Sequence, residues 1–358
     1  MKKGDRISAW VKLIGLLYLF ILSIEFIKKS SLFLAPNIKD FLLQTMHPIK
    51  AVSFGWFSTA IVQSSGAVST ITATFAGNNL LNFSTAVYIV IGAALGTTIT
   101  AIIISLVTVS AKRKDFRHGF EIGLCYAIYS ALLVIISFLL EYFFNFFSGI
   151  SLFLASKMSG KISLLKVPDL VGAITSPIVN PIFSRNHKLF ILILGFAILI
   201  FALRFIGKAV IGIFGGEENA RKFIDRHFES KYKTYLIGAL LTAVLFSSSI
   251  TIGLLVPLAV TRLIGLKRSI PFILGADLGT FTDVFIAALI IDKIPALAIA
   301  LVYIMIAVFG ALIFLPNTKF LFKITKYTSK KLIGISRKKA LYVLIALILI
   351  PLLIILIF

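Results

Sequence analysis

Long apolar stretches separated by short charged segments make up most of this chain of 358 residues. Several stretches reach the roughly 20 residues that an α-helix needs to cross a hydrocarbon core of about 30 Å. They lack the alternation of apolar and polar positions found in the strands of membrane barrels, so we predict helices. The uninterrupted candidate spans are 7–27, 89–109, 118–145, 188–206, 270–291, 296–316 and 340–358.

Two further apolar stretches, 51–77 and 234–261, are interrupted in the middle by polar residues. The letters QSSG (63–66) interrupt the first and SSSIT (247–251) interrupt the second. Each stretch is long enough for two half-helices joined by a turn. We therefore predict two re-entrant helical hairpins, each of which returns to the side of the membrane that it entered from.

Composition agrees with a membrane protein. Hydrophobic residues make up 59% of the chain and charged residues 14%, whereas a soluble domain carries about 25% charged residues. The net charge of +22 does not indicate nucleic acid as a partner, because the basic residues fall between the spans, where they orient helices in a bilayer. No Ser-His-Asp or metal-ligand spacing occurs, so we expect neither an enzyme nor a bound cofactor.

An internal repeat links the two interrupted stretches. A shift of 183 residues places TAIVQSSG (59–66) on TAVLFSSS (242–249), and GAALGTT (92–98) on GADLGTF (275–281), with no gap. Eleven positions are identical between 59–101 and 242–284, and most of them fall in these two polar patches. Apolar composition alone does not align such patches at one offset, so we interpret the chain as two homologous halves.

The two halves have opposite distributions of basic residues. The turn after the first hairpin lacks Lys and Arg, whereas its counterpart carries Arg262, Lys267 and Arg268. Lys and Arg mark the cytoplasmic side, so the repeats are predicted to have inverted topology, as in secondary transporters. The N-terminus is then cytoplasmic and the C-terminus outside, in a multi-pass protein of the plasma membrane. The predicted organisation is a first repeat over 1–147, a connector over 148–187, a second repeat over 188–330 and a C-terminal membrane helix over 331–358. Pro168, Pro177 and Pro181 predict that the connector is irregular, with room for a short interfacial helix.

The residue types at the interruptions suit anion binding. Half-helix ends at a hairpin tip present free N–H groups that favour negative charge. Serine hydroxyls and the Gln63 amide add donors without a permanent charge, so a divalent oxyanion can be held and still released. Small polar residues also mediate helix packing in membranes, but their recurrence at one offset favours binding.

Oxygen ligands for Na⁺ are concentrated in the second pair of patches, GTTIT and GTFTD. Asp277 and Asp283 are acids inside an apolar span and are functional candidates for that reason. Six residues apart on one helix, they point to different faces unless the helix breaks near Gly279. For Thr98, Thr100 and Thr282, cation binding and backbone capping both remain open.

These paired motifs resemble the type II sodium-dependent phosphate cotransporter family, which has a Gln-Ser-Ser-Ser hairpin in each of two inverted repeats. Each hairpin of that family is followed by a Gly-(Ala/Ser)-Asn-Ile-Gly-Thr stretch. The resemblance covers roughly residues 7–147 and 190–316. It implies uptake of inorganic phosphate coupled to Na⁺, with no other metal. The implied phosphate-binding residues are Gln63, Ser64, Ser65, Ser247, Ser248 and Ser249, and the implied sodium-binding residues are Thr97, Thr98, Thr280 and Thr282. Thr100, Asp277 and Asp283 are sodium-binding candidates because they supply oxygen ligands in the same patches, not because they match the family.

The chain departs from the family pattern at five positions. Phe246 stands in place of the second glutamine, Gly66 in place of the third serine, Ala94 and Asp277 in place of the two asparagines, and Asp283 adds a carboxylate. With fewer donors and more negative charge, the site is expected to need cations to bind a divalent anion. The alternative function is a Na⁺- or H⁺-coupled carrier of another solute, such as an organic anion. A homodimer is a possible assembly, and no C-terminal soluble regulatory domain is expected after Phe358.

Overall fold

The protein is helical throughout the part of the chain that the structure, a computed structural model, describes. The described residues are 3–42, 46–108, 113–162, 167–183, 188–213, 215–216, 218–219, 222, 230–260, 262, 264–333 and 337–358. The helices are α1 (Lys3–Leu42), α2 (Pro48–Val62), α3 (Ser65–Gly77), α4 (Phe83–Gly96), α5 (Thr98–Thr108), α6 (Arg113–Phe144), α7 (Phe146–Ile162), α8 (Val167–Phe183), α9 (Lys188–Ile213), α10 (Lys231–Leu245), α11 (Ser248–Val260), α12 (Leu266–Gly279), α13 (Phe281–Ile291), α14 (Ile294–Phe314), α15 (Thr318–Thr328) and α16 (Arg337–Ile357).

Within these residues, 7 stretches are long and apolar enough to cross a membrane, and all seven correspond to predicted spans. They are Ser8–Ser30, Phe83–Leu106, Arg117–Phe144, Leu189–Ile213, Leu266–Ile291, Ile294–Phe314 and Ala340–Ile357. Two of them, Phe83–Leu106 and Leu266–Ile291, are interrupted by a helix break, at Thr97 and at Thr280. The predicted spans 89–109 and 270–291 were uninterrupted. The prediction of an all-helical, multi-pass membrane protein is confirmed.

Helix contacts occur in pairs that are related by the 183-residue shift. Helix α2 packs on α4, and α10 packs on α12. Helix α3 likewise packs on α13 and α14, while α11 packs on their counterparts α5 and α6. Helix α1 packs along α9, its own counterpart. The two halves therefore form equivalent contacts inside one continuous core.

Glycines at equivalent positions allow the closest of these contacts. A Cβ on Gly55 would overlap the Ile89 carbonyl on α4, and a Cβ on Gly92 would overlap the Val52 carbonyl on α2. Gly238 and Gly275, at the same positions of the second half, contact the facing backbone of α12 and α10 in the same way. Small residues at helix interfaces let backbones approach closely in membranes, so this repeat is retained in packing as well as in sequence.

The segment 148–187 differs from the irregular connector predicted for it. It is largely helical, because α7 extends through its first part and α8 occupies Val167–Phe183. The irregular structure was predicted from the prolines of this segment, and the structure accommodates them within α8. Pro168 lies in the first turn of α8, where no intrahelical N–H bond is lost. Pro177 and Pro181 lie inside α8 four residues apart, so the second proline removes the donor that would have paired with the carbonyl of the first.

A buried carboxylate joins the beginning of α6 to α15. Glu121 is 1% exposed; its Oε1 accepts a hydrogen bond from Arg117 Nε at 3.0 Å and its Oε2 one from Lys326 Nζ at 2.5 Å. The Ser329 hydroxyl, at the start of the short π-helix Ser329–Ile333 that follows α15, also donates to Oε1 at 3.3 Å. Glu121 belongs to the first half and Lys326 to the second, so this ion pair connects the two repeats.

Replacing Lys326 with methionine is expected to reduce the free energy of unfolding by about 1.5–3 kcal/mol, the usual value of a hydrogen bond to a charged group. The effect should fall in the lower part of that range, because Lys326 is 34% exposed and water screens part of the attraction. Thermal unfolding of the purified protein in detergent measures it. Lys319→Met removes an exposed lysine from the same helix and serves as the control; equal melting temperatures for both variants would contradict the structural role.

Candidate functional site

Both interrupted stretches break at equivalent residues. Helix α2 ends at Gln63 (φ 59°, ψ 29°) and α10 ends at Phe246 (φ 55°, ψ 25°), both in the left-handed region. Their N–H groups donate to the Thr59 and Thr242 carbonyls at 2.7 and 2.8 Å. Glycine is the usual residue in this conformation at a helix end. A glutamine and a phenylalanine adopt it here, so each break is held by its surroundings rather than by backbone freedom.

A serine caps the helix that begins after each break. Ser64 Oγ accepts a hydrogen bond from the Ala67 N–H at 3.1 Å, at the start of α3. Ser247 Oγ accepts one from the Ile250 N–H at 3.2 Å, at the start of α11. Each cap satisfies one of the free N–H groups of its helix. The remaining free N–H groups give both half-helices a positive N-terminal end.

The two breaks meet at one cavity of about 200 Å³, called the central cavity below. Both half-helix starts contribute to its wall, together with α5 and α9. Its described lining residues are Val62, Gln63, Ser64, Thr100, Ile200, Leu203, Lys208, Phe246, Ser247, Ser249 and Ile250. Five of the predicted site residues therefore lie together here: Gln63, Ser64, Thr100, Ser247 and Ser249.

Thr100 and Ser249 form a pair of hydroxyls on this cavity wall. Neither hydroxyl oxygen has a hydrogen-bond partner among the described residues, and both are buried. Leaving a buried hydroxyl unpaired costs free energy, so the pair fits an occupant of the cavity that supplies the missing interaction. Thr98 and Thr282 behave differently, because their hydroxyls donate to the Leu95 carbonyl of α4 and the Gly279 carbonyl of α12, at 2.7 and 3.1 Å.

Asp283 of the second half corresponds to Thr100 of the first, and Gly66 of the first half corresponds to Ser249 of the second. Asp283 is fully buried, and its Oδ1 accepts a hydrogen bond from the Val284 N–H at 2.7 Å. Its Oδ2 has no partner within the described chain and lies where a Cβ on Gly66 would be. The carboxylate therefore fills the space left by the missing serine side chain, next to the N-terminal end of α3.

Asp277 lies on α12 and Asp283 on α13, so the break at Thr280 separates them and the spacing argument for one continuous helix does not apply. Asp277 Oδ2 accepts a hydrogen bond from the Tyr129 hydroxyl at 2.9 Å. Asp277 lines a small cavity of about 10 Å³ together with Ala94 and Tyr303. Ala94 is the counterpart of Asp277 in the first half, so the two equivalent positions face one space, with one carboxylate between them.

Ser65 and Ser248 lie behind the two breaks rather than on the central cavity. The Ser65 hydroxyl is 3.0 Å from the Tyr303 hydroxyl on α14, and the Ser248 hydroxyl is 3.4 Å from the Tyr126 hydroxyl on α6. Since α6 and α14 are counterparts, each half-helix start is held by a tyrosine of the opposite repeat.

Thr97 and Thr280 lie at the two interruptions of the long spans. Their hydroxyls donate to the Ala93 and Ala276 carbonyls at 3.5 and 3.1 Å. The structure therefore gives them a backbone-capping contact. Each hydroxyl oxygen retains lone pairs that are free to accept a further interaction.

Four residues of this region are absent from the candidates predicted from the sequence. Tyr126, Tyr129 and Tyr303 are buried in apolar helices, where an aromatic residue alone does not distinguish core from site. Lys208 lies within the span Leu189–Ile213, and the predicted span 188–206 ended just before it. An ionisable residue inside an apolar helix is a signal that the sequence did carry.

The fold and the cavity define a multi-pass membrane protein of the transport class. Comparison with known families is specific: the sequence profile of the Na⁺/Pi-cotransporter family matches residues 19–208 and 198–337. These matches cover most of the chain, which therefore belongs to that family.

Individual relatives agree with this assignment. The chain is 22% identical over 433 residues to rat sodium-dependent phosphate transport protein 2A, covering 97% of this chain and 67% of the relative. It is 24% identical over 186 residues to human sodium-dependent phosphate transport protein 2B, covering 51% of this chain and 27% of the relative. The chain thus spans about two thirds of the length of the type 2A relatives that it matches. No solved structure matches it.

Proposed function

We propose that this protein takes up inorganic phosphate across the plasma membrane, driven by Na⁺ entry and by alternating access of two inverted repeats. Family membership supports transport, and the relatives' names support phosphate and sodium. One structural observation carries the proposal for the site. Two equivalent helix breaks bring two capped, positive half-helix ends to one cavity.

The anion is assigned to the central cavity. Gln63, Ser64, Ser247 and Ser249 line it and offer hydrogen-bond donors from both repeats. Ser65 and Ser248 support the same half-helix starts through Tyr303 and Tyr126. Neutral donors and helix ends bind an oxyanion without the strong attraction of a buried arginine, and this suits an anion that must be released.

The cations are assigned to the oxygen atoms around this cavity. Asp283 Oδ2 and the Thr100 hydroxyl are buried without partners in the described structure, and Asp277 has an oxygen that Tyr129 does not engage. Oxygen ligands of this kind suit hard cations. Thr97, Thr98, Thr280 and Thr282 stay in the proposal as secondary ligands, because a hydroxyl that donates to a carbonyl still accepts through its lone pairs.

Inverted topology is part of the same proposal. The paired contacts of α3 with α13 and of α11 with α5 support two equivalent units, and the basic residues of the sequence support their opposite orientation. With the first hairpin entering from outside and the second from the cytoplasm, the two tips meet near the middle of the membrane, as in known inverted-repeat carriers.

Uptake of labelled phosphate into proteoliposomes, with and without an inward Na⁺ gradient, tests this function. Ser64→Ala and Ser247→Ala are each expected to reduce Na⁺-driven uptake about tenfold, because each removes a donor from the cavity and a helix cap. Ser84→Ala, an exposed serine on α4, is the control. Uptake that does not depend on Na⁺, or full uptake by both cap variants, would contradict the proposal. Uptake of an organic anion in place of phosphate would assign a different substrate.

A further inference from the structure

Lys208 lies where two spaces of the protein meet. It lines the central cavity together with Gln63 and Ser247. It also lines a groove of about 890 Å³ between α1 and α9, whose other lysine is Lys12. Among the described lining residues of the central cavity, Lys208 is the only one that carries a formal charge.

A lysine inside an apolar span is costly and needs a physical reason. Lys208 lies five residues before the end of the span Leu189–Ile213. Its Nζ lies 4.9 Å from the centroid of the Phe205 ring, a contact that partly compensates the charge. Extension of the side chain towards the membrane surface would be the simplest explanation, but it does not account for the position of Lys208 on the wall of a cavity lined by hydroxyls and an amide.

The two repeats are not equivalent in charge at this position. The counterpart of Lys208 at the 183-residue shift is Glu25. Glu25 is buried and forms an ion pair with Lys28 at 3.5 Å, and Lys28 Nζ also donates to the Ile290 carbonyl at 3.1 Å. The acid of the first repeat is thus already neutralised by a neighbour, whereas the lysine of the second repeat faces the central cavity.

Lys208 also compensates a specific loss. Phe246 occupies the place where the family pattern has a second glutamine, so the second hairpin lacks one amide donor. Phe246 and Lys208 line the same cavity. A lysine on a flexible stem supplies a compact positive charge that can approach an anion and withdraw from it.

On the basis of the function proposed above, we propose that Lys208 binds the oxyanion in the central cavity and provides the positive charge of that site. The ligand chemistry is a phosphate oxyanion. Inorganic phosphate in the central cavity and a phospholipid headgroup in the α1–α9 groove share this chemistry. The test therefore separates the two sources.

The test uses the full chain and the variants Lys208→Gln, Lys208→Arg and Lys12→Gln. The first measurement is binding of inorganic phosphate in detergent with Na⁺ present, followed through the shift of the melting temperature with phosphate concentration. Lys208→Gln is expected to raise the half-saturating phosphate concentration at least about tenfold, as for the loss of one charge-assisted contact.

Lys208→Arg should stay within about threefold of the parent because it keeps the charge. Lys12→Gln should match the parent because Lys12 lines the groove and is not among the described lining residues of the central cavity. Melting temperatures without phosphate verify that every variant is folded.

The second measurement is Na⁺-driven phosphate uptake in vesicles of phosphatidylcholine alone and in vesicles with added phosphatidylglycerol. A defect of Lys208→Gln in both lipids, with normal Lys12→Gln, supports the central cavity. A defect confined to vesicles with the anionic lipid, or an equal defect in Lys12→Gln, overturns the proposal in favour of a lipid headgroup. Parent-like phosphate binding by Lys208→Gln, or no phosphate binding by the parent, also overturns it. Failure of the parent to transport while phosphate binding depends on Lys208 would contradict only the proposed transport function.

Discussion

Replacing Gly66 with serine is expected to reduce the initial rate of Na⁺-driven phosphate uptake at least about tenfold. The serine Cβ would overlap the carboxylate of Asp283, which is fully buried and would have to move. Overpacking of a well-packed site costs about 1–3 kcal/mol, and here it also displaces the start of α3, where Ser64 caps the helix and lines the central cavity. Proteoliposome uptake measures the rate, and the melting temperature verifies that the variant is folded.

The double variant Gly66→Ser, Asp283→Thr provides the matched comparison. It gives position 66 of the first repeat and position 283 of the second the same Ser/Thr pair that their counterparts Ser249 and Thr100 form, so we expect it to recover much of the uptake lost in the single variant. Its Na⁺ dependence should still differ from that of the parent, because one carboxylate is gone. Normal uptake by Gly66→Ser alone, or no recovery in the double variant, would contradict the interpretation of positions 66 and 283 as one site.

These two positions also mark the limit of what the sequence could predict. The pattern indicated Gly66 as a missing donor and Asp283 as an added charge, as two separate departures from the family. In the structure the two departures are one local change, because the Asp283 carboxylate occupies the volume that a side chain at position 66 would fill. The packing of α13 against α3 brings Asp283 next to Gly66. The local sequence of neither helix predicts this contact.

The helix breaks were easier to predict from the sequence than the contact between Gly66 and Asp283. Polar residues recurring at one offset inside apolar stretches predicted interruptions near 63–66 and 247–249, and the structure has helix ends at Gln63 and Phe246. The sequence signal for each break is local, since a capping serine acts within one turn, although the surrounding structure holds Gln63 and Phe246 in the left-handed conformation. The hydroxyl contacts of Tyr126, Tyr129 and Tyr303 depend on partners more than a hundred residues away, and they could not be predicted.

Proline misled the prediction for 148–187, where α8 continues through Pro177 and Pro181. The irregular connector was expected from the rule for soluble helices, in which an internal proline usually ends or kinks the helix. In membrane proteins neighbouring helices and local adjustments satisfy the freed carbonyls, and proline within a helix is tolerated. The apolar residues of 171–183 would have been the better guide, since Val171 and Val179 are buried against the rest of the protein.

Replacing Asp277 with asparagine is expected to raise the half-saturating Na⁺ concentration of uptake at least about tenfold, and the half-saturating phosphate concentration less than about threefold. Asp277 is buried, and one of its oxygens accepts a hydrogen bond from the Tyr129 hydroxyl. Its side chain does not line the central cavity, but it faces Ala94 across a separate small space. A carboxylate in that position is suited to a cation and does not line the cavity assigned to the anion, so removing its charge should affect one ion more than the other. Uptake measured over a range of Na⁺ at fixed phosphate, and the reverse, separates the two effects.

Two further variants show whether the charge or the hydrogen bond matters. Tyr129→Phe keeps the Asp277 carboxylate but removes its donor, and a carboxylate released from that bond is expected to retain Na⁺ dependence close to that of the parent. Asp292→Asn removes an exposed acid at the end of the neighbouring helix α13 and should leave both concentrations unchanged. If Asp277→Asn shows the Na⁺ dependence of the parent, the carboxylate does not bind the coupling cation, and the role passes to Asp283 beside Gly66. If Tyr129→Phe reproduces the Asp277→Asn defect, the Tyr129–Asp277 bond positions α6 against α12 and the Na⁺ effect is indirect.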